Sequence, residues 1–516
     1  MARNSSPRLC RGFSHGREIK SLETGKIKSF FPPSNMTTIN SSLTRAWSKA
    51  IALPAREFSL TPLPILSGKI PDRLRGSLYR NGPASLERGG DRVGHWFDGD
   101  GAILGVHFTD TGASAVYRYV QTEGYQQETA ADAFLFPNYG TNVPGPFWNN
   151  WGKDVKNAAN TSVLALSDKL LALWEGGLPH ALDLKTLETK GTDDLSGLDG
   201  NSSFSAHPKV DPNTGEIFNF GISVGLNATL NLYRCDSTGK IVKKASTQLE
   251  GIPIVHDFVL AGQYLVFFLP PVRINLLPAA LGFSSFSDSM EWKPELGTQI
   301  LVFDRHTLSL VSRGTTDPWY QWHFTNACID KNGSVLVELV RYEDFQTNQN
   351  LKEIASGKIN TPAIGTLWQI TLHPQTAKVT GTEQLLDRKC EFPVVSQLEV
   401  GQPWRYTYLS VYRDGSDITE ELFDAIAIFD RKTGDLSIAD MGENRYPAEP
   451  IFVRDAENEE RGWLLTVVYD GNTDNSELQI YDRYKSISAE PVCRLGLPGV
   501  IPHGFHGTWK PTAQTF

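Results

Sequence analysis

The chain runs to 516 residues, 40% of them hydrophobic, with a formal net charge of -9. That charge leaves no basic footprint for nucleic acid, and no run reaches the ~18 apolar residues that a membrane span needs. The five cysteines, Cys10, Cys235, Cys328, Cys390 and Cys493, are odd in number and form no Cys-x-x-Cys pair, which argues against structural zinc and a disulfide scaffold and for a reducing compartment.

Residues 1–45 are rich in Ser, Arg and Lys, with no continuous apolar stretch of the kind a secretory signal carries. Over residues 1–28 there are seven Lys or Arg against two Asp or Glu, so the segment reads as a disordered or targeting tail, with Met36 an alternative start. From about residue 55 the chain becomes turn-dense. Ile70-Pro-Asp-Arg-Leu-Arg-Gly-Ser-Leu-Tyr-Arg-Asn-Gly-Pro83 leads to His95-Trp-Phe-Asp-Gly-Asp-Gly101, and such Asp-Gly pairs mark tight turns between strands. Numerous Gly, Pro and aromatic residues likewise favour turns and strands over long helices.

Length alone suggests several domains, but a repeat argues for one. Seven segments each run an apolar strand into a turn of Asp, Gly, Thr or Pro and out along a second strand. They begin at Val106, Ala181, Leu232, Val302, Ile370, Ile428 and Ile480, and three share an aromatic-Asp-Arg core, as in Ile428-Phe-Asp-Arg-Lys-Thr-Gly434. Their turns recur every ~50–75 residues, near the upper end of propeller-blade periods. The expected fold is therefore all-β, a seven-bladed β-propeller over residues 46–516 with loops and short helices capping one side. Two β-sandwich domains are the competing reading, but no composition break or linker follows residue 60. Within the run Leu269-Pro-Pro-Val-Arg-Ile-Asn-Leu-Leu-Pro-Ala-Ala-Leu-Gly-Phe283 and just beyond it, Leu276, Leu277, Leu281, Phe283 and Phe286 are candidates to dip into a membrane surface, against a buried connection.

Eleven histidines are present. Most have plain explanations as tail, turn or solvated residues, but four sit in apolar settings: Ser205-Ala-His207-Pro, Ile254-Val-His256-Asp-Phe258, Trp322-His323-Phe and Phe505-His506-Gly-Thr-Trp509. His207 and His256 are 49 residues apart and His256 and His323 67, about one repeat each. Equivalent positions in successive blades converge only at the axis, so we expect these imidazoles on one metal. Such a neutral donor set suits a divalent transition metal. Octahedral iron would keep two open positions, whereas four ligands fill a zinc tetrahedron. Metal-bound imidazoles usually donate their second N–H to a carboxylate or carbonyl, and Glu175, Glu391 and Glu449 lie in apolar surroundings where an unpaired carboxylate is costly.

At these residues the chain resembles the carotenoid cleavage dioxygenase family, most closely its cyanobacterial apocarotenoid oxygenase branch, over residues 55–510. The resemblance is carried by Leu78-Tyr-Arg-Asn-Gly-Pro83, Phe97-Asp-Gly-Asp-Gly101, Ala159-Asn-Thr161, Leu170-Leu-Ala-Leu-Trp-Glu-Gly-Gly177, Ser205-Ala-His-Pro208, His256-Asp-Phe258, Cys390-Glu-Phe-Pro-Val-Val395, Glu449-Pro-Ile-Phe-Val453 and His506-Gly-Thr-Trp509. It implies a propeller with one axial non-haem Fe(II) per chain held by His207, His256, His323 and His506. Glu175, Glu391 and Glu449 would orient three of the rings, and Thr161 would crowd an open iron position. It also implies O2 cleavage of a conjugated C=C bond into two carbonyl products without an organic cofactor.

Within the family the first expectation is 15,15′ cleavage of apocarotenals to retinal. The alternatives are another carotenoid bond, a stilbene double bond or, outside catalysis, a propeller scaffold. Where several relatives carry tandem histidines, this chain has His323-Phe324, so Trp322 and Phe324, with Trp174, are expected on the substrate tunnel. His503 is the rival ligand, but the His-Gly-Thr-Trp match selects His506. The expected location is cytoplasmic and peripheral on an internal membrane, or a plastid if the tail is a transit peptide.

Overall fold

A computed structural model describes residues 45–512, apart from 456, 457, 459, 460, 486 and 489; residues 1–44 of the expected tail lie outside the described residues. Seven antiparallel sheets of four to six strands follow one another along the chain and form the blades of a propeller. The repeat read in the sequence is an outer hairpin in every blade, with one further strand outside it in blades 1 and 7. In blade 1 it joins Asp100–Thr109 to Gly112–Tyr119, in blade 4 Thr298–Asp304 to Leu310–Thr316, and in blade 6 Ala425–Asp430 to Leu436–Asp440.

The turn chemistry explains the recurring Asp. Asp304 Oδ1 accepts from the backbone N–H of His306 (3.0 Å) and Thr307 (2.7 Å), and Asp183 does the same for Lys185 and Thr186. A short carboxylate that bonds its own backbone two or three residues on is a turn device. Leu308 (φ 58°) and Leu187 (φ 57°) then take the left-handed conformation that completes these turns.

Burial grades outward. Tyr264–Leu269 is apolar and buried throughout, whereas the outer strands Lys378–Gln384 and Ile241–Gln248 carry exposed Lys, Glu and Thr, which blunts the free edge of each blade against pairing with other chains.

The ring is closed twice. The C-terminal strand Gly507–Pro511 pairs with Gly76–Ser85 and becomes the innermost strand of blade 1, with Leu78 opposite Trp509. The N-terminal strand Ile65–Gly68 pairs with Cys493–Gly496 as the outermost strand of blade 7. The other innermost strands are Ser162–Ala165, Lys209–Val210, Val259–Ala261, Phe324–Ile329, Cys390–Val394 and Ile451–Arg454.

Three excursions leave the blades before or between strands and carry the helices Glu123–Ala131, Leu276–Ala280 and Gln346–Ala355. The first is tied to blade 1 by a buried network. Lys156 Nζ bridges Asp100 Oδ1 (2.5 Å) and Glu128 Oε2 (2.6 Å), and Arg88 holds the other Asp100 oxygen (2.6 Å). No helix among the described residues is long and apolar enough to cross a membrane.

Trp509 is buried at the C-terminal closure, packed against Phe108 with ring centroids 5.9 Å apart. Trp509→Ala is expected to cost about 3–5 kcal/mol in chemical denaturation. Leu226→Ala, at a fully exposed site, should cost under about 0.5 kcal/mol. Equal losses would mean that the terminal strand does not hold the ring.

Candidate metal centre

Every innermost strand delivers one distinctive side chain to the axis at or just before its first residues. Thr161 precedes Ser162–Ala165, His207 precedes Lys209–Val210, His256 precedes Val259–Ala261, and His323 precedes Phe324–Ile329. Glu391 lies at the start of Cys390–Val394, Glu449 precedes Ile451–Arg454 and His506 precedes Gly507–Pro511. Glu175 is the exception, following the second strand of blade 2, Leu170–Leu173.

The four expected histidines meet. His207 Nε2 lies 3.1 Å from His256 Nε2, which lies 3.4 Å from His323 Nε2. The rings of His207 and His506, and of His323 and His506, are 4.7 Å apart. Two nitrogens bound 2.0–2.1 Å from one ion at right angles are about 3 Å apart, so this crowding of Nε2 atoms fits donors that share one metal.

The carboxylates settle which nitrogen faces inward. Glu391 Oε2 sits 2.6 Å from His323 Nδ1, and Glu449 Oε1 2.8 Å from His506 Nδ1. An N–H held on Nδ1 fixes the tautomer and leaves the Nε2 lone pair for a metal. Glu175 Oε1 approaches His256 Nδ1 to 3.2 Å without meeting hydrogen-bond geometry, and lies 3.7 Å from His207 Nε2. Burial, and then the neighbouring imidazoles, hold His207 well below its ordinary pKa, so it is a neutral donor at pH 7. Burial also lowers His506 despite Glu449, whereas at His323 the Glu391 carboxylate outweighs burial and raises the ring.

The glutamates are supported unequally, through residues that the sequence did not single out for this role. Tyr342 donates its hydroxyl to Glu391 Oε1 (3.0 Å), and the Phe392 N–H donates to Oε2 (2.6 Å). Phe392 takes φ 50°, strained for a bulky residue, and its ring stacks on His323. Arg80 is buried and donates to Glu449 Oε2 (3.1 Å), to the Glu449 carbonyl (2.8 Å) and to the Phe505 carbonyl (2.9 Å). Arg80 lies in Leu78-Tyr-Arg-Asn-Gly-Pro83, but its partner is 369 residues away. Glu175 is about one-third exposed (32%) and has no comparable support among the described residues.

Three of the imidazoles, His256, His323 and His506, open onto a cavity of about 450 Å³ whose walls include Thr161, Trp174, Glu175, Trp322, Phe97 and Phe505. The Thr161 hydroxyl is engaged on Asn160 Oδ1 (3.1 Å), which leaves its methyl free to face the cavity. Trp174 folds over Gly176, where a Cβ would come within 2.8 Å of the indole. Trp322 lies edge-on to His256 (5.0 Å) and donates Nε1–H to Thr347 Oγ1 (3.1 Å).

Phe324 departs from expectation. Successive side chains alternate along a strand, so with His323 at the axis, Phe324 turns into the core between blades and packs on Phe268 (5.6 Å), off the wall of this cavity. His503 does not join the four. Its Nε2 is spent on the Trp47 carbonyl (2.9 Å).

Glu391→Gln and Glu449→Gln are each expected to weaken divalent-metal affinity about 10–100-fold by competition with a chelator, and Glu175→Gln to weaken it less. If Glu175→Gln proves the most damaging of the three, the geometry has been misread.

Residues 52–511 match the family profile described as retinal pigment epithelial membrane protein, RPE65. The chain is 32% identical over 459 residues to the apocarotenoid-15,15'-oxygenase of Synechocystis, covering 87% of this chain and 92% of that one. It is 28% identical over 473 residues to resveratrol cleavage oxygenase 1 of Aspergillus fumigatus, covering 86% and 91%. The crystal structure of cobalt-substituted Synechocystis ACO aligns with a TM-score of 0.82 at 30% identity, over 91% of this chain and 99% of that one. With a seven-bladed propeller and histidines grouped on its axis, the chain belongs to the RPE65/carotenoid oxygenase family.

Proposed function

We propose that this oxygenase is a non-haem Fe(II) enzyme that cleaves one conjugated C=C bond of an apocarotenoid, with the 15,15′ bond of an apocarotenal, giving retinal, as the first assignment. The observation that carries the reading is a group of four imidazoles, three of which, His256, His323 and His506, open onto an aromatic-walled cavity, in a chain with this degree of identity to an apocarotenoid-15,15'-oxygenase. Iron bound by His207, His256, His323 and His506 supplies reactivity toward O2. The two oxygen atoms end in the two carbonyl products, so the reaction needs no external reductant.

The protein's own part is positioning and exclusion of water. Phe97, Trp174, Trp322 and Phe505 give the polyene an apolar wall beside the imidazoles, where burial of its hydrocarbon surface drives binding. Glu391 and Glu449 hold Nδ1 of their histidines so that Nε2 faces inward, and the Thr161 methyl narrows the space left for substrate and O2. After anaerobic Fe(II) loading, an apocarotenal series and a stilbene should be offered with labelled O2 and the product masses read. Retinal carrying label is expected. Stilbene-derived aldehydes with intact apocarotenals would move the assignment toward the resveratrol-cleaving relatives, and no cleavage by iron-loaded protein would sink it.

A membrane-facing rim suits so apolar a substrate. Leu277 (67% exposed), Leu281 and Phe283 (64%) stand beside exposed Trp148 and Trp151, and Phe283 packs on Phe147 (4.8 Å). Val155 and Val224 are exposed and line the cavity, marking its mouth. Two residues of the expected set point elsewhere: Leu276 packs into the core of blades 3 and 4, and Phe286 turns inward toward Tyr139 (5.9 Å). Each exposed side chain that enters lipid contributes at most about 1.5–3 kcal/mol. Replacing Leu277, Leu281 and Phe283 with Ser together should abolish liposome flotation without changing iron content; unchanged flotation excludes the rim.

A further inference from the structure

His503 is the one histidine on the cavity wall that the metal centre does not use. It is set among aromatic rings. Tyr446 and Tyr469 stand edge-on to it at 5.7 and 5.6 Å, with Trp47 at 6.4 Å behind. Nothing in that packing asks for a polar ring, and a phenyl group would fill the same place.

The hydrogen bonding makes it distinctive. The partner of Nε2 is the Trp47 carbonyl at 2.9 Å, and a carbonyl only accepts, so Nε2 carries the proton. Burial drops the imidazole to about 4, so at pH 7 the ring is neutral and Nδ1 is a bare acceptor. Neither neighbouring hydroxyl reaches it: Tyr446 donates to Glu421 Oε2 (2.6 Å) and Tyr469 to Asp474 Oδ1 (2.7 Å). Nδ1 has no protein donor among the described residues and is not sealed from the cavity. The Trp47 carbonyl that fixes the tautomer is itself anchored, because the Trp47 indole N–H donates to the Glu420 carbonyl (2.9 Å) and the side chain is fully buried.

We infer that His503 is a specificity residue whose Nδ1 accepts a hydrogen bond from a hydroxyl on the non-reacting end of the substrate, so that the preferred substrate is a polyene with a hydroxylated terminal group. This rests on the polyene-cleaving assignment above and extends it. An aldehyde or ether oxygen offers lone pairs only and would meet Nδ1 lone pair to lone pair. The same atom therefore directs the carbonyl end of an apocarotenal away from His503, which sets the bond presented to the metal.

Three probes test it in the iron-loaded enzyme: an apocarotenal with a ring hydroxyl, its O-methyl ether and its deoxy parent. The wild type should favour the hydroxylated compound over both others about tenfold in kcat/KM. His503→Phe should cleave all three within about twofold of one another, and His503→Gln, which keeps an acceptor, should regain part of the preference. Iron content and thermal unfolding of the variants serve as controls for folding. A wild type indifferent to the hydroxyl overturns the inference whatever the variants do, and so does a preference that survives in His503→Phe. Failure to cleave any of the three would instead count against the polyene-cleaving assignment.

Discussion

The hydrogen bond that the outer N–H of an axial imidazole donates to a carboxylate is the interaction on which the rest depends. Four Nε2 lone pairs directed at one point repel each other. Glu391 and Glu449 fix their rings from behind at 2.6 and 2.8 Å, which keeps the inward geometry in place before any ion binds. The supports differ in kind: a neutral phenol braces Glu391, a buried guanidinium braces Glu449, and Glu175 stands partly open to the cavity. Carboxylates therefore fix ring position more firmly at His323 and His506 than at His256.

That arrangement needs the propeller's closure. Seven short innermost strands each start near the axis, and a side chain placed just before such a strand points across the bore whatever the rest of the blade does. His506 reaches the centre only because the last strand crosses to blade 1 and pairs with Gly76–Ser85. The two faces are then free to differ. The excursions wall off the aromatic cavity on one side, while a second space of about 510 Å³, lined by the innermost strands, reaches His207, His323 and His506 from the other.

What could be read in the sequence is what chain position alone controls. The Asp-led turns recur because each outer hairpin needs the same backbone capping, and the histidine spacings follow from one blade per repeat. The C-terminal return was legible as an apolar, aromatic end, whereas Ile65–Gly68, exposed along its length, gave no sign that it closes blade 7. Tyr342 and Arg80 were not assigned their roles because their meaning lies in partners 49 and 369 residues away. The replacement of a tandem histidine by Phe324 points to the tunnel only if both side chains of the pair face it, and Phe324 packs in the core instead. Its neighbour His323 faces the axis, so strand alternation puts Phe324 in the core.

The charges at the site show why the carboxylates stand one ring away from the metal position. Burying an unbalanced charge beside an apolar cavity is costly. Three glutamates set against a bound divalent ion and the Arg80 guanidinium would leave the centre neutral as a whole, and the nearby Lys209 and Asp257 cancel each other at 2.7 Å. Carboxylates bound directly to the metal would achieve the same neutrality but would neutralise the ion itself and occupy the positions that substrate and O2 need. Relaying the negative charge through imidazole keeps the donors neutral, leaves the ion its charge and still balances the buried region. Thr161, in the remaining innermost-strand position of blade 2, lies on the cavity wall with its hydroxyl spent on Asn160 Oδ1 and so offers no further charge to be balanced.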